Sequence, residues 1–100
     1  MIKFNVIVFQ QDQPIASANF VMADGATIGK AAAKAISKIQ GDTEGASRVV
    51  VNISRFQAGM VRNCTGFMNS GTAKITTTIQ AAITFAIAKA FAPQPVSFMK

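Results

Sequence analysis

The sequence predicts an α+β domain built on a single antiparallel β-sheet, and three observations predict it. Residues 2–9 and 15–22 alternate apolar and polar side chains on either side of a polar turn. Residues 26–40 carry one apolar stripe at helical spacing. Alternation then returns after residue 47 and runs to about residue 80. Strands on both sides of one helix, joined by short links, give an antiparallel sheet with the helix packed on one face.

In IKFNVIVF, residues 2–9, Ile2, Phe4, Val6 and Val8 share a face opposite Lys3 and Asn5. The run becomes apolar on both faces at Ile7 and Phe9. QQDQP, residues 10–14, is a polar cluster ending in proline, which marks a turn. IASANFVM, residues 15–22, sets Ala16, Ala18, Phe20 and Met22 against Ile15, Ser17, Asn19 and Val21. The two strands are expected to form a hairpin.

The helix expected over 26–40 follows. Asp24 or Thr27 caps it, because a short side-chain oxygen accepts from a free first-turn N–H. Ile28, Ala32, Ala35, Ile36 and Ile39 form its apolar stripe, and Gly41 stands where a left-handed C-terminal cap belongs. Alanine on the stripe allows a close approach to a sheet. Lys30, Lys34 and Lys38 recur at four-residue steps, centred roughly opposite the stripe, and are expected to face solvent or a partner.

After an acid-bearing loop, 41–47, a strand is expected over 48–56, with Val49, Val51 and Ile53 on one face. A further strand is expected over 60–68, with Arg62 and Cys64 on one face. Asn69-Ser70-Gly71 reads as a hairpin turn, with Gly71 supplying a positive φ. Three successive threonines favour a strand over 73–80. Residues 81–91 carry both periods and stand as strand or short C-terminal helix. On the helical reading Ile75, Ile79, Ile83, Ile87 and Phe91 stack at four-residue steps. Pro93 and Pro95 end that element, leaving a peripheral tail over 92–100.

All 100 residues read as one domain, with no internal repeat. The most apolar window, AAITFAIAKAFA, is about half the length of a membrane span and contains Lys89. The N-terminal run alternates like a strand and lacks a small-residue cleavage site. Together with a single cysteine, this leads to an expected cytoplasmic location and no membrane partner.

Histidine is absent, which removes the commonest general base and His-ligated metals. The four acids, Asp12, Asp24, Asp42 and Glu44, form no carboxylate pair suited to hydrolysis. Cys64 reads as a small core residue; as a nucleophile it needs a cation such as Arg62 beside it. Residues 24–30, DGATIGK, bring glycines and a lysine to a helix start, but their spacing departs from the phosphate-loop pattern. A non-enzymatic protein is expected, with no metal and no cofactor.

Ten Lys+Arg against four Asp+Glu give a net charge of +6, which suits a polyanion. Candidate phosphate contacts are Lys30, Lys34, Lys38, Arg48, Arg55 and Arg62. Asn52, Ser54, Thr76, Thr78 and Gln80 are candidate hydrogen-bond donors beside them. A lysine column is also what any amphipathic helix shows on its wet side. The phenylalanines alternate mostly with apolar neighbours and read as core. Unguarded edge strands and the apolar segment 79–91 point to self-association.

The leading expectation is therefore a self-associating, coat-like or nucleic-acid-associated binding protein. The alternative is a small protein-interaction module or inhibitor, such as a phage or mobile-element protein that blocks a host complex. No motif is specific enough to carry a family.

Overall fold

Side-chain alternation puts β1 (Ile2–Gln10) and β2 (Gln13–Met22) into the expected hairpin. A computed structural model describes residues 1–55 and 69–91 of the chain. The strand expected over 60–68, with Arg62 and Cys64, and the tail over 92–100 lie outside the described residues. The turn is tighter than the polar cluster suggests. Gln10 pairs with Gln13, which leaves only Gln11 and Asp12 between the strands. Gln11 takes a φ of 56°, and its N–H donates to Ser47 Oγ at 3.0 Å. Pro14 lies inside β2 because β2 is an edge strand, where a missing N–H costs no ladder bond.

β3 (Arg48–Arg55) pairs with the other side of β1, and β4 (Asn69–Lys74) pairs with β3. The sheet order is β2-β1-β3-β4, antiparallel throughout. Its buried face is laid out in rows. One row runs Ala18–Val6–Val51–Gly71 and the next Ala16–Val8–Val49–Ala73. Bulky valines fill the centre, and small residues sit on both edges. Helices can therefore lie close to the edge strands.

Two helices use that space. α1 (Ile28–Lys38) packs on β2 and on α2 (Ile79–Phe91), while α2 covers β3 and β4. Thr27 caps α1 by accepting from Lys30 N–H at 3.2 Å. Thr78 does the same for α2, accepting from Ala81 N–H at 3.1 Å. Below α2, Phe4 stacks on Phe20 with centroids 4.9 Å apart and meets Phe91 edge-on at 5.9 Å. Among the described residues no helix is long and apolar enough to cross a membrane.

The α+β reading with one antiparallel sheet holds, and four local readings change. The strand expected over 73–80 is replaced by β4, which ends at Lys74, and by the first turn of α2. Threonine fits strands but also caps helices, and here Thr78 caps. Residues 81–91 are helical, with Ile83 and Ile87 fully buried as the four-residue stack predicts.

Gly71 lies within β4 and not in a turn. A Cβ there would run into the Ala86 carbonyl oxygen and lie 2.7 Å from Ala90 N. Glycine is required by the closeness of α2. Gly41, read as a helix cap, has the same kind of role. α1 is followed by Ile39 in extended conformation, and Gly41, at φ 118°, passes Ile15 so closely that a Cβ would lie 2.5 Å from its carbonyl oxygen. The α1 stripe is also rotated. Ala31, Ala32 and Ala35 are buried while Ile36 is exposed, because the helix settles its small residues against its neighbours.

Candidate polyanion-binding surface

The sheet face away from the helices carries the odd-numbered side chains of β1 and their register partners. Its middle row is polar: Asn19, Asn5, Asn52 and Ser70 lie side by side. Asn52 Nδ2 donates to Asn5 Oδ1 at 3.1 Å, and Asn5 Nδ2 donates to Asn19 Oδ1 at 2.8 Å. One expected phosphate donor, Asn52, is thus engaged in an amide ladder. Another, Ser54, is buried at 1 % exposure.

The cations expected to act together are dispersed. Lys30 and Lys38 are exposed on α1. Lys38 lines a polar cleft of ≈ 360 Å³ with Ser17, Asn19 and Gln40 at the β2 edge. Lys34, expected to face solvent or a partner, is half-buried. Its Nζ donates to the Val21 carbonyl at 3.1 Å and lies 5.9 Å from the Phe20 ring centroid. The long stem reaches across apolar surface to an edge-strand carbonyl that needs a donor. Arg55 stands over the Phe91 ring at 5.7 Å. Arg48 is on the open sheet face, 4.1 Å from the Phe9 ring centroid. Arg62 lies outside the described residues.

The structure assembles a different set. Arg48 and Lys74 are direct cross-strand partners on the open sheet face, with the Arg48 guanidinium turned to the Phe9 ring of β1. Among the described residues the acid beside it is Asp12, 3.9 Å from Arg48 and fully exposed, and so a weak partner. Asp24 is held by the N-terminal ammonium at 2.6 Å.

Lys89 extends the positive row over the β4 edge, where its Nζ donates to the Thr72 carbonyl at 3.0 Å. Lys74, Lys89, Thr72, Thr76 and Phe85 line a shallow cleft of ≈ 510 Å³. The cleft offers two ammonium groups, two hydroxyls and an exposed ring, with Arg48 as the cross-strand neighbour of Lys74.

Sequence reasoning missed Lys74, Lys89 and Phe85 as members of a site. Lys74 was visible as a polar-face residue of a strand. Phe85 and Lys89 become neighbours only on a helix, at i and i+4, and the double periodicity over 81–91 hid that. The same lysine bears on self-association. Among the described strands, Lys34 and Lys89 each occupy an outward carbonyl of an edge strand, and Gln40 bridges to Ser17 on β2. Edge-to-edge pairing meets these three contacts first.

Family models, curated proteins and solved structures give no match to this chain.

Proposed function

We propose that this is a non-enzymatic binding protein whose Arg48–Lys74–Lys89 row holds a polyanion of the nucleic-acid class. The observation that carries the reading is the grouping of three cations, with Arg48 and Lys74 as cross-strand partners and Lys74 and Lys89 lining one cleft, where the nearby acid among the described residues is the fully exposed Asp12. A phosphate in the cleft meets the Lys74 and Lys89 ammonium groups, with Arg48 one strand away. Thr72 and Thr76 hydroxyls stand beside it as neutral donors. The reading draws Arg48 from the candidate set of the sequence and adds Lys74 and Lys89.

The test is binding of a fluorescein-labelled oligonucleotide between 50 and 200 mM salt, ranges of about the size over which counterion release is measured. With three phosphate contacts, log K is expected to fall against log salt with a slope of about −2. Lys74→Gln is expected to make the slope shallower by about 0.7. Affinity that ignores salt, or a wild-type slope retained in the variant, overturns the proposal. Tight, salt-independent capture of a host protein instead supports the inhibitor alternative.

A further inference from the structure

We infer that the polyanion on this surface is single-stranded nucleic acid, with one base stacked on Phe85. The inference rests on the polyanion reading above and adds the class of ligand. Phe85 is 64 % exposed, while Ile83 and Ile87 on either side of it in α2 are fully buried. Two residues along a helix turn a side chain about 200° around the axis, so Phe85 has no route into the core that Ile83 fills. The exposed ring is not a by-product of an overfull core.

Its surroundings divide into two kinds. On one side lies the ≈ 510 Å³ cleft with Lys74, Lys89, Thr72 and Thr76, where a backbone phosphate is matched in charge. On the other lies an uncharged cleft of ≈ 360 Å³ lined by Thr78, Gln80, Ala81 and Thr84. There the Thr84 hydroxyl donates to the Gln80 carbonyl at 2.9 Å, which leaves its oxygen as an acceptor. The exposed Gln80 side-chain amide supplies both a donor and an acceptor.

Charge on one side, an aromatic plane in the middle and neutral hydrogen-bonding groups beyond match a phosphate, a base face and a base edge in that order. Proteins that hold single strands pair a cationic track with aromatic platforms in this way. A duplex keeps its base faces in its own stack and presents none to Phe85. One ring means one stacked base, so sequence preference is weak.

The experiment compares an oligothymidylate, an abasic strand of the same length, a duplex and inorganic polyphosphate, on wild type, Phe85→Leu and Phe85→Tyr. The oligothymidylate is expected to bind about 5- to 150-fold more tightly than the abasic strand. F85L removes that advantage, F85Y keeps it, and neither changes polyphosphate affinity. A 2-aminopurine base in the strand is expected to lose fluorescence on binding wild type and not on binding F85L. Because the ring is exposed, both variants are expected to melt with wild type, which circular dichroism checks. Equal affinity for all four ligands, unchanged in F85L, overturns the stacking inference and leaves the polyanion reading standing. No binding of any of the four at low salt removes the polyanion reading itself.

Discussion

Replacing Gly71 by alanine tests how α2 sits on the sheet, and with it the geometry of the proposed binding surface. The added Cβ would meet the Ala86 carbonyl oxygen, Ala90 N at 2.7 Å and Lys89 Cβ at 3.0 Å. Two of the three are helix backbone atoms, which no rotamer change can move. Restoring ordinary contact at about 3.5 Å requires α2 to lift from β4 by about 1 Å. Overpacking of this kind costs about 1–3 kcal/mol. Reduced freedom of the unfolded chain returns about 0.4–1 kcal/mol, so a net loss of about 1–2 kcal/mol is expected. For a domain of this size that lowers the melting midpoint by roughly 5–15 °C.

Far-ultraviolet circular dichroism is the suitable probe, since the chain has no Trp or Tyr to report unfolding by fluorescence. Gly71→Asn sharpens the result. If Gly71 served a left-handed turn, asparagine would be tolerated better than alanine, because Asn adopts that conformation more readily. Against a helix backbone the larger side chain is worse, so the expected order of stability is Gly, then Ala, then Asn. An unchanged midpoint in G71A, or G71N more stable than G71A, would refute the packing account. The lifted helix also carries Lys89 away from the Thr72 carbonyl, so G71A is expected to weaken oligonucleotide binding as well.

Two further predictions concern local backbone chemistry. Gln11, at φ 56°, holds a left-handed conformation that glycine takes without a Cβ penalty, so Gln11→Gly is expected to stabilise the hairpin by up to about 1 kcal/mol, read as a higher urea midpoint. A lower midpoint would mean that the turn imposes no such strain. Thr78→Ala removes the acceptor for Ala81 N–H and is expected to cost about 1 kcal/mol, whereas Thr78→Asp keeps the cap and the wild-type melting midpoint. A Thr78→Asp protein as unstable as Thr78→Ala would refute the capping role of Thr78.

The parts legible in the sequence share a property: their signal is local. β1 shows its buried face as Ile2, Phe4, Val6 and Val8 two residues apart, and nothing later in the chain alters that period. The α1 start is equally plain, since Thr27 precedes a helix-forming run and caps within three residues. The α2 region was not legible in the same way. Ile75, Ile79, Ile83 and Ile87 lie four apart, which satisfies a period of two and a period near 3.6 together. Only the neighbours decide, and the small residues Gly71 and Ala73 on β4 leave room for a helix there.

The candidate site divides along the same line. Composition alone establishes an excess of cations and the absence of histidine, because charge and residue type survive any folding. Which cations stand together is a matter of register and crossing. Lys34 belonged to the most visible column in the sequence, yet its ammonium is drawn to the Val21 carbonyl on an edge strand. Arg48 and Lys74 are 26 positions apart and become partners only when β3 pairs with β4. Phe85 looked like core because its neighbours in sequence are apolar, and it is exposed because α2 is a helix. The sequence by itself determined the hairpin, the first helix, the single antiparallel sheet and the positive charge. The tertiary structure decided the second helix, the meaning of Gly71 and the membership of the basic surface, because each depends on side chains that meet across strands and helices distant in the chain.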